Sequence, residues 1–164
     1  MRKSSFSCGT VEFQVSPLRD LSDKMPTPKE RQKMYDILLS LAKKDGYMVI
    51  HTKSLKNSDG DINKDCKIIR ISKKLSLVRM LTVLAHELGH AEQIKMKKWD
   101  KFFDTDKFEN DEKSKKYIEE AEINASERGQ RILRDMGWEN NFFEELHKEN
   151  LNWLREEWYK HYLE

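Results

Sequence analysis

His86-Glu87-Leu88-Gly89-His90 is an H-E-x-x-H run set inside a stretch with helical periodicity. Histidines four residues apart stand one turn apart on one helix face, so both imidazoles can reach a single metal ion. A glutamate beside the first histidine can then take a proton from water activated by that metal. This is the minimal equipment of a zinc-dependent hydrolase, with His86 and His90 as ligands and Glu87 as general base.

Two histidines do not complete such a site. A catalytic zinc usually has three protein ligands and one open position. The third is expected from another element packed against the histidine helix, and a second helix over about 116–136 offers Glu119, Glu120, Glu122 and Glu127. Helix geometry separates them. At about 100° per residue from Ile118, the residues Ala121, Ala125, Gly129, Ile132, Leu133 and Met136 fall within about 60° and form one inward stripe. Glu122 falls inside that stripe at about 40°, whereas Glu119, Glu120 and Glu127 lie at about 100°, 200° and 180°. A glutamate on an apolar face is costly to bury unless it is paired or bound to a metal. Glu122 is therefore the predicted third ligand, with a buried Arg or Lys as the competing partner. Ser126, one turn further on, could orient a ligand histidine. Gly89, in mid-helix, costs about 1 kcal/mol relative to Ala and implies close approach by another backbone or a substrate.

These groups need elements to hold them. Thr27-Pro28-Lys29-Glu30 reads as a capped helix start, followed by a face of Met34, Ile37, Leu38 and Leu41 that ends near Gly46. Val11 to Val15, Tyr47 to His51 and Cys66 to Ser72 read as strands, the last with Ile69 and Ile71 on one face and Ile68 on the other. The histidine helix is expected from about Leu75 to Lys98. Residues 99–115 mix aromatics with polar residues without a clean period and read as a long loop or irregular segment, either one that lines or covers a cleft or a surface loop pinned by its aromatics. A last helix, from near Asn141, carries Phe142, Phe143, Leu146, Trp153, Leu154 and Trp158 on a broad face that reads as core. No repeat or linker divides the chain, so one domain over 1–164 is expected.

Composition excludes several classes. Charged and hydrophobic residues each make up 37% of the 164 residues, as in a globular chain with a heavily solvated surface. Lys+Arg 31 against Asp+Glu 29 leaves a net charge of +2, which argues for neither a nucleic-acid nor a membrane partner. Met1 to Thr10 has no apolar run of the signal-peptide kind, and Cys8 and Cys66 make no disulfide framework, so a cytoplasmic location with reduced thiols is expected. Asp59-Gly60-Asp61-Ile62-Asn63 has the first spacings of a calcium loop, but Lys64 and Arg70 stand where Gly and Glu are needed, so it reads as a turn between strands.

The H-E-L-G-H run, followed by Glu122-Ile123-Asn124-Ala125-Ser126, resembles the gluzincin metallopeptidases and is most similar to small ImmA/IrrE-like and phage-encoded members. The resemblance covers about ten residues as motif and roughly residues 28 to 136 as architecture. It implies an α+β, zincin-like fold, a small sheet packed on the active-site helix with further helices after it. It also implies zinc, hydrolysis of peptide bonds in a protein or peptide substrate, and the same four roles for His86, His90, Glu87 and Glu122. Where that group usually continues with an apolar Phe-Ala-x-x-Leu-Leu stretch, this chain reads Glu127-Arg128-Gly129-Gln130-Arg131. The alternative reading is a non-catalytic regulatory or binding protein on a metallopeptidase scaffold. The strand 66–72 is expected to pair its edge with an extended substrate. The oxyanion-stabilising group stays open among His51, Tyr47, Tyr117 and His147.

Overall fold

Thr27 starts the first described helix as its sequence demands. Its hydroxyl accepts from the Glu30 amide, the Glu30 carboxylate accepts from the Thr27 amide, and Pro28 occupies the first turn. This helix, α1, spans Pro28–Lys44. The structure, a computed structural model, describes residues 25–55, 58–104, 111–139 and 142–159; the predicted strand Val11 to Val15 lies outside them. The inward face of α1 is Met34, Tyr35, Leu38 and Ala42. Ile37 is 37% exposed, so the stripe is rotated slightly from the expected one, because the Tyr35 hydroxyl is drawn inward to His51.

Three strands follow: β1 (Met48–Thr52), β2 (Gly60–Asn63) and β3 (Ile68–Ser72). The sheet order is β1-β3-β2, with β1 parallel and β2 antiparallel to β3. Ile69 and Ile71 are fully buried, as their alternation predicts. Two expectations are corrected here. Residues 60–63 form a strand, not a turn; the turn is 64–67, where the Asn63 side-chain oxygen accepts from the Asp65 and Cys66 amides and Lys67 takes φ 55°. And β3 is the central strand, hydrogen-bonded on both sides, so it has no free edge for a substrate. Among the described residues β1 and β2 are the edge strands, and β2 is the one that lines a cleft.

Ser76 caps the next helix, α2 (Leu77–Ile94), whose middle from Leu81 to Ala91 is buried throughout. A 3₁₀ helix, Lys97–Phe103, follows and buries Trp99 against Tyr117. Asp111 then caps α3 (Glu112–Asp135), which starts four residues before the expected point because that cap is available. Gly137 ends it at φ 87°. The last helix, α4 (Phe142–Trp153), runs into a wider π-helical turn, Leu154–Trp158. One core joins α1, the sheet, α2, α3 and Leu146 of α4, and a smaller cluster of Ile118, Leu154 and Tyr159 packs on Phe102. The chain is thus mixed α+β, consistent with a minimal zincin-like fold. Among the described residues no helix is long and apolar enough to cross a membrane.

The contact that organises these layers is α2 against α3. A Cβ on Gly89 would lie 2.2 Å from the Ala125 carbonyl oxygen, and one on Gly129 would lie 2.7 Å from the Ala85 carbonyl oxygen. The two backbones touch at both points, which is the close approach that Gly89 implied and the reason a glycine stands at 129 in mid-helix. In an open helix Gly89→Ala would stabilise by about 1 kcal/mol. Here the added methyl meets backbone, and we expect a loss of about 1–3 kcal/mol, read from the midpoint of denaturant unfolding. An unchanged or raised midpoint would contradict the contact.

Candidate metal centre

α2 carries His86 and His90 on the face that meets α3, and α3 carries Glu122 one turn before the Ala125 contact. The carboxylate spans both imidazoles. Its Oε2 lies 3.2 Å from His86 Nε2 and its Oε1 3.5 Å from His90 Nε2. One ligand atom from each of the three residues lies within 4.8 Å of the others, close enough to hold one metal ion. His86 and His90 are each 4% exposed, and the Glu122 side chain is 14% exposed. The four predicted residues are therefore brought together, with Glu87 (5% exposed) beside them.

Each of the three has an outer partner. Ser126 Oγ lies 3.1 Å from His86 Nδ1, as its position one turn after Glu122 suggested. Gln93 Oε1 lies 2.8 Å from His90 Nδ1, and Asn150 Nδ2 donates to Glu122 Oε2 at 3.5 Å. Gln93 and Asn150 were not found from sequence. Gln93 falls three residues after His90 and so shares its face, a signal that was available; nothing local marks Asn150, which arrives from α4.

The centre forms the floor of a cleft of about 640 Å³. β2 makes one wall. Gly60 is required there, because a Cβ would lie 2.5 Å from Val83 Cγ1 and 3.3 Å from Glu87 Oε1. The opposite wall holds Phe102 and Phe103, with Leu146, Asn150 and Leu154 of the C-terminal helical segment. The Phe102 ring stacks on the His90 ring at 5.0 Å and 13°, and Phe103 meets it edge-on at 6.0 Å. The irregular segment thus lines the cleft, the first of its two readings. At the mouth, Arg79 ties Asp59 to Glu149 of α4. None of the four oxyanion candidates lines the cleft. Tyr47 is buried beside Lys67, His51 is held by Tyr35 at 2.6 Å, and the Tyr117 hydroxyl donates to the Lys98 carbonyl. His147 points its Nδ1 into the protein with no hydrogen-bond partner among the described residues. Cys66 is exposed and away from the centre.

Burial sets the electrostatics. It pushes the Glu87 carboxyl up to about 8, with His90 opposing and the Glu122 and Asp61 charges adding to the rise. Burial alone would lower His90, but the charge of Glu122 and the hydrogen bond to it, with Glu87 behind them, raise it to about 9. Burial holds His86 below its ordinary value, against its hydrogen bond to Glu122. Burial would raise Glu122, yet the charges and hydrogen bonds of His90 and His86 hold it well below the usual carboxylate range.

The family model described as the IrrE N-terminal-like domain matches residues 30–127. That span runs from α1 through the sheet and α2 to Glu122 and Ser126 on α3, and stops before α4. No curated protein and no solved structure matches the chain.

The protonation pattern gives a stability signature for metal-free protein. Glu87 and His90 bind protons more tightly folded than unfolded, so their contributions are complete below their unfolded values of 4.5 and 6.5 and are lost as pH rises through about 8 and 9. His86 and Glu122 are shifted down, so their contributions are fully present above 6.5 and 4.5 and are lost as pH falls below those values. Chelator-treated protein should therefore show a falling Tm from about pH 6.5 to about pH 9, and Glu122→Gln should flatten that fall. A Tm that rises across this window would contradict the assignment.

Proposed function

The chain belongs to the IrrE N-terminal-like peptidase family, and on that premise we propose that it is a zinc-dependent metallopeptidase in which His86, His90 and Glu122 hold the metal and Glu87 is the general base. The observation that carries this reading is the convergence of two imidazole nitrogens and a carboxylate on one point at the floor of a cleft. The donor set fits the metal. Imidazole nitrogen and carboxylate oxygen are ligand types that zinc takes, and Glu122 sets Oε2 3.2 Å from His86 Nε2 and Oε1 3.5 Å from His90 Nε2. A donor set of two imidazoles and one carboxylate is that of catalytic rather than structural zinc. When bound, the metal supplies Lewis acidity: water on it ionises near neutral pH and a carbonyl beside it is polarised.

The rest is the work of the chain. Glu87 faces the cleft and is not tied up in an ion pair among the described residues, so its carboxylate is free to accept a proton from the attacking water. The same oxygen then returns the proton to the leaving amine. Its raised pKa, falling as a cation arrives next to it, makes it a base able to hold a proton transiently at neutral pH. A purely structural metal would have no use for a buried carboxylate placed beside but outside the ligand set, which sets the regulatory-scaffold reading behind this one. The outer edge of β2 faces the cleft, and an extended peptide pairing with it would lie across the metal position, its backbone held by ladder hydrogen bonds. Phe102, Phe103 and Leu154 give its side chains apolar surface on the far wall.

The protein should copurify with or take up one zinc per chain and cleave an unstructured protein, with cleavage abolished by chelator and restored by zinc. Glu87→Gln should keep the zinc and lose about 10²–10⁴-fold in turnover. Zinc uptake with no cleavage of any unfolded protein would favour the regulatory scaffold. Full turnover in Glu87→Gln would remove that residue from its role.

A further inference from the structure

Gln93 does more than fill a gap behind His90. Its side chain is fully buried, and every polar atom of its amide is spoken for. The amide nitrogen donates to the Ala121 backbone carbonyl at 2.7 Å and to Asn124 Oδ1 at 3.1 Å. A backbone carbonyl can only accept, so the group facing it must be the NH₂, and the oxygen must face His90. The Asn124 contact reaches the same orientation independently. Asn124 Oδ1 also accepts from Arg128 Nε at 2.8 Å, and that guanidinium, always a donor, is itself held by Glu92 at 2.6 Å. Asn124 therefore presents an oxygen to Gln93, which again requires the Gln93 nitrogen there. The Gln93 oxygen, an acceptor only, sits 2.8 Å from His90 Nδ1, so Nδ1 must carry a proton.

We infer that Gln93 is a positioning residue that fixes His90 as the Nδ1–H tautomer and aims its Nε2 lone pair at the point shared with His86 and Glu122. The inference rests on the metal-site reading above for its purpose, but not for its geometry. His86 has no equivalent: its partner is the Ser126 hydroxyl, which can donate or accept and so imposes no tautomer. Gln93 is also a mechanical link between the two ligand-bearing helices. It sits on α2 one turn past His90 and is anchored to the carbonyl of Ala121, the residue directly before Glu122. One amide thereby ties the orientation of a histidine ligand to the turn of α3 that carries the carboxylate ligand. Phe102, stacked on the other side of the His90 ring, limits rotation about the axis that Gln93 leaves free.

Two measurements test this on the full chain. The first is long-range ¹⁵N–¹H correlation on the histidine rings of wild-type protein, zinc-loaded and metal-free, the latter at a pH high enough that the His90 ring signals are those of a neutral imidazole. His90 Nδ1 should be protonated in both states. A bare Nδ1 with a proton on Nε2 in the metal-free protein would overturn the inference, whether or not zinc binds. The second is zinc affinity by competition with a chromogenic chelator. Gln93→Met, similar in volume but without the acceptor, should bind zinc about 10–100-fold more weakly. Asn124→Ala, which removes one anchor of Gln93 from a partly exposed position, should show a smaller fall in the same direction. Leu133→Ala, a fully buried core residue remote from the centre, should lower Tm with wild-type zinc affinity and so separates positioning from general stability. Wild-type affinity in Gln93→Met would overturn the inference. If Gln93→Met fails to fold, the ring spectra of the wild type and the affinity of Asn124→Ala still decide it. If wild-type protein takes up no zinc, the metallopeptidase reading fails, and the ring spectra alone then decide whether Gln93 sets the His90 tautomer.

Discussion

Everything at the centre depends on how closely α2 and α3 can approach. Helices packed through ordinary side chains keep their axes about 8–10 Å apart. Here Gly89 lets α2 rest on the Ala125 carbonyl, and Gly129 lets α3 rest on the Ala85 carbonyl, so the contact is made by backbone at two points, directly before each ligand histidine on α2 and one and two turns after Glu122 on α3. Two glycines in helix interiors cost about 1 kcal/mol each. In return a glutamate, whose side chain is short relative to a usual helix gap, reaches both imidazoles with its two oxygens. The unusual Glu127-Arg128-Gly129 stretch belongs to the same solution. Gly129 supplies the contact, and Arg128 closes the outer side of the helix pair by holding Glu92 and Asn124.

Close packing has an electrostatic consequence. Two carboxylates and two imidazoles are removed from water within one small volume, and unpaired buried charge is expensive. Without metal the group relieves itself partly by sharing protons: His90 is drawn towards its charged form by Glu122, while Glu87 is drawn towards its neutral form by burial. A divalent cation at the shared point would match the charge of the two carboxylates and reverse both tendencies. On the proposed reading, a doubly charged ion at that point would relieve the compromise that burial imposes on the metal-free centre.

The cleft is assembled from elements that have no covalent continuity. β2 supplies one wall only because Gly60 lets it lie against Val83 and Glu87. The other wall combines the 3₁₀ segment after α2 with α4, which lies outside the span shared with the family. Arg79 joins these walls at the mouth by bonding Asp59 on one and Glu149 on the other.

Much of this was legible in the residues because local periodicity is a physical property of single elements. The H-E-x-x-H spacing placed His86 and His90 on one face whatever packed there. The 100° rotation per residue put Glu122, and not Glu119, Glu120 or Glu127, on the apolar side of α3. Thr27 to Glu30 announced a helix start, and Ile69 and Ile71 a buried strand face, for the same local reason. What sequence could not supply were the relations between elements. Gly60 to Asn63 read as part of a turn because four residues are too few to show a strand period, and only pairing with β3 made them a strand and an edge of the sheet. The roles of Phe102, Asn150 and Arg79 arise from contacts with residues far along the chain, which no local pattern encodes. Residue types and spacing determined which groups could meet a metal; the backbone contact between two helices and the order of three strands decided that they do meet, and what surrounds them.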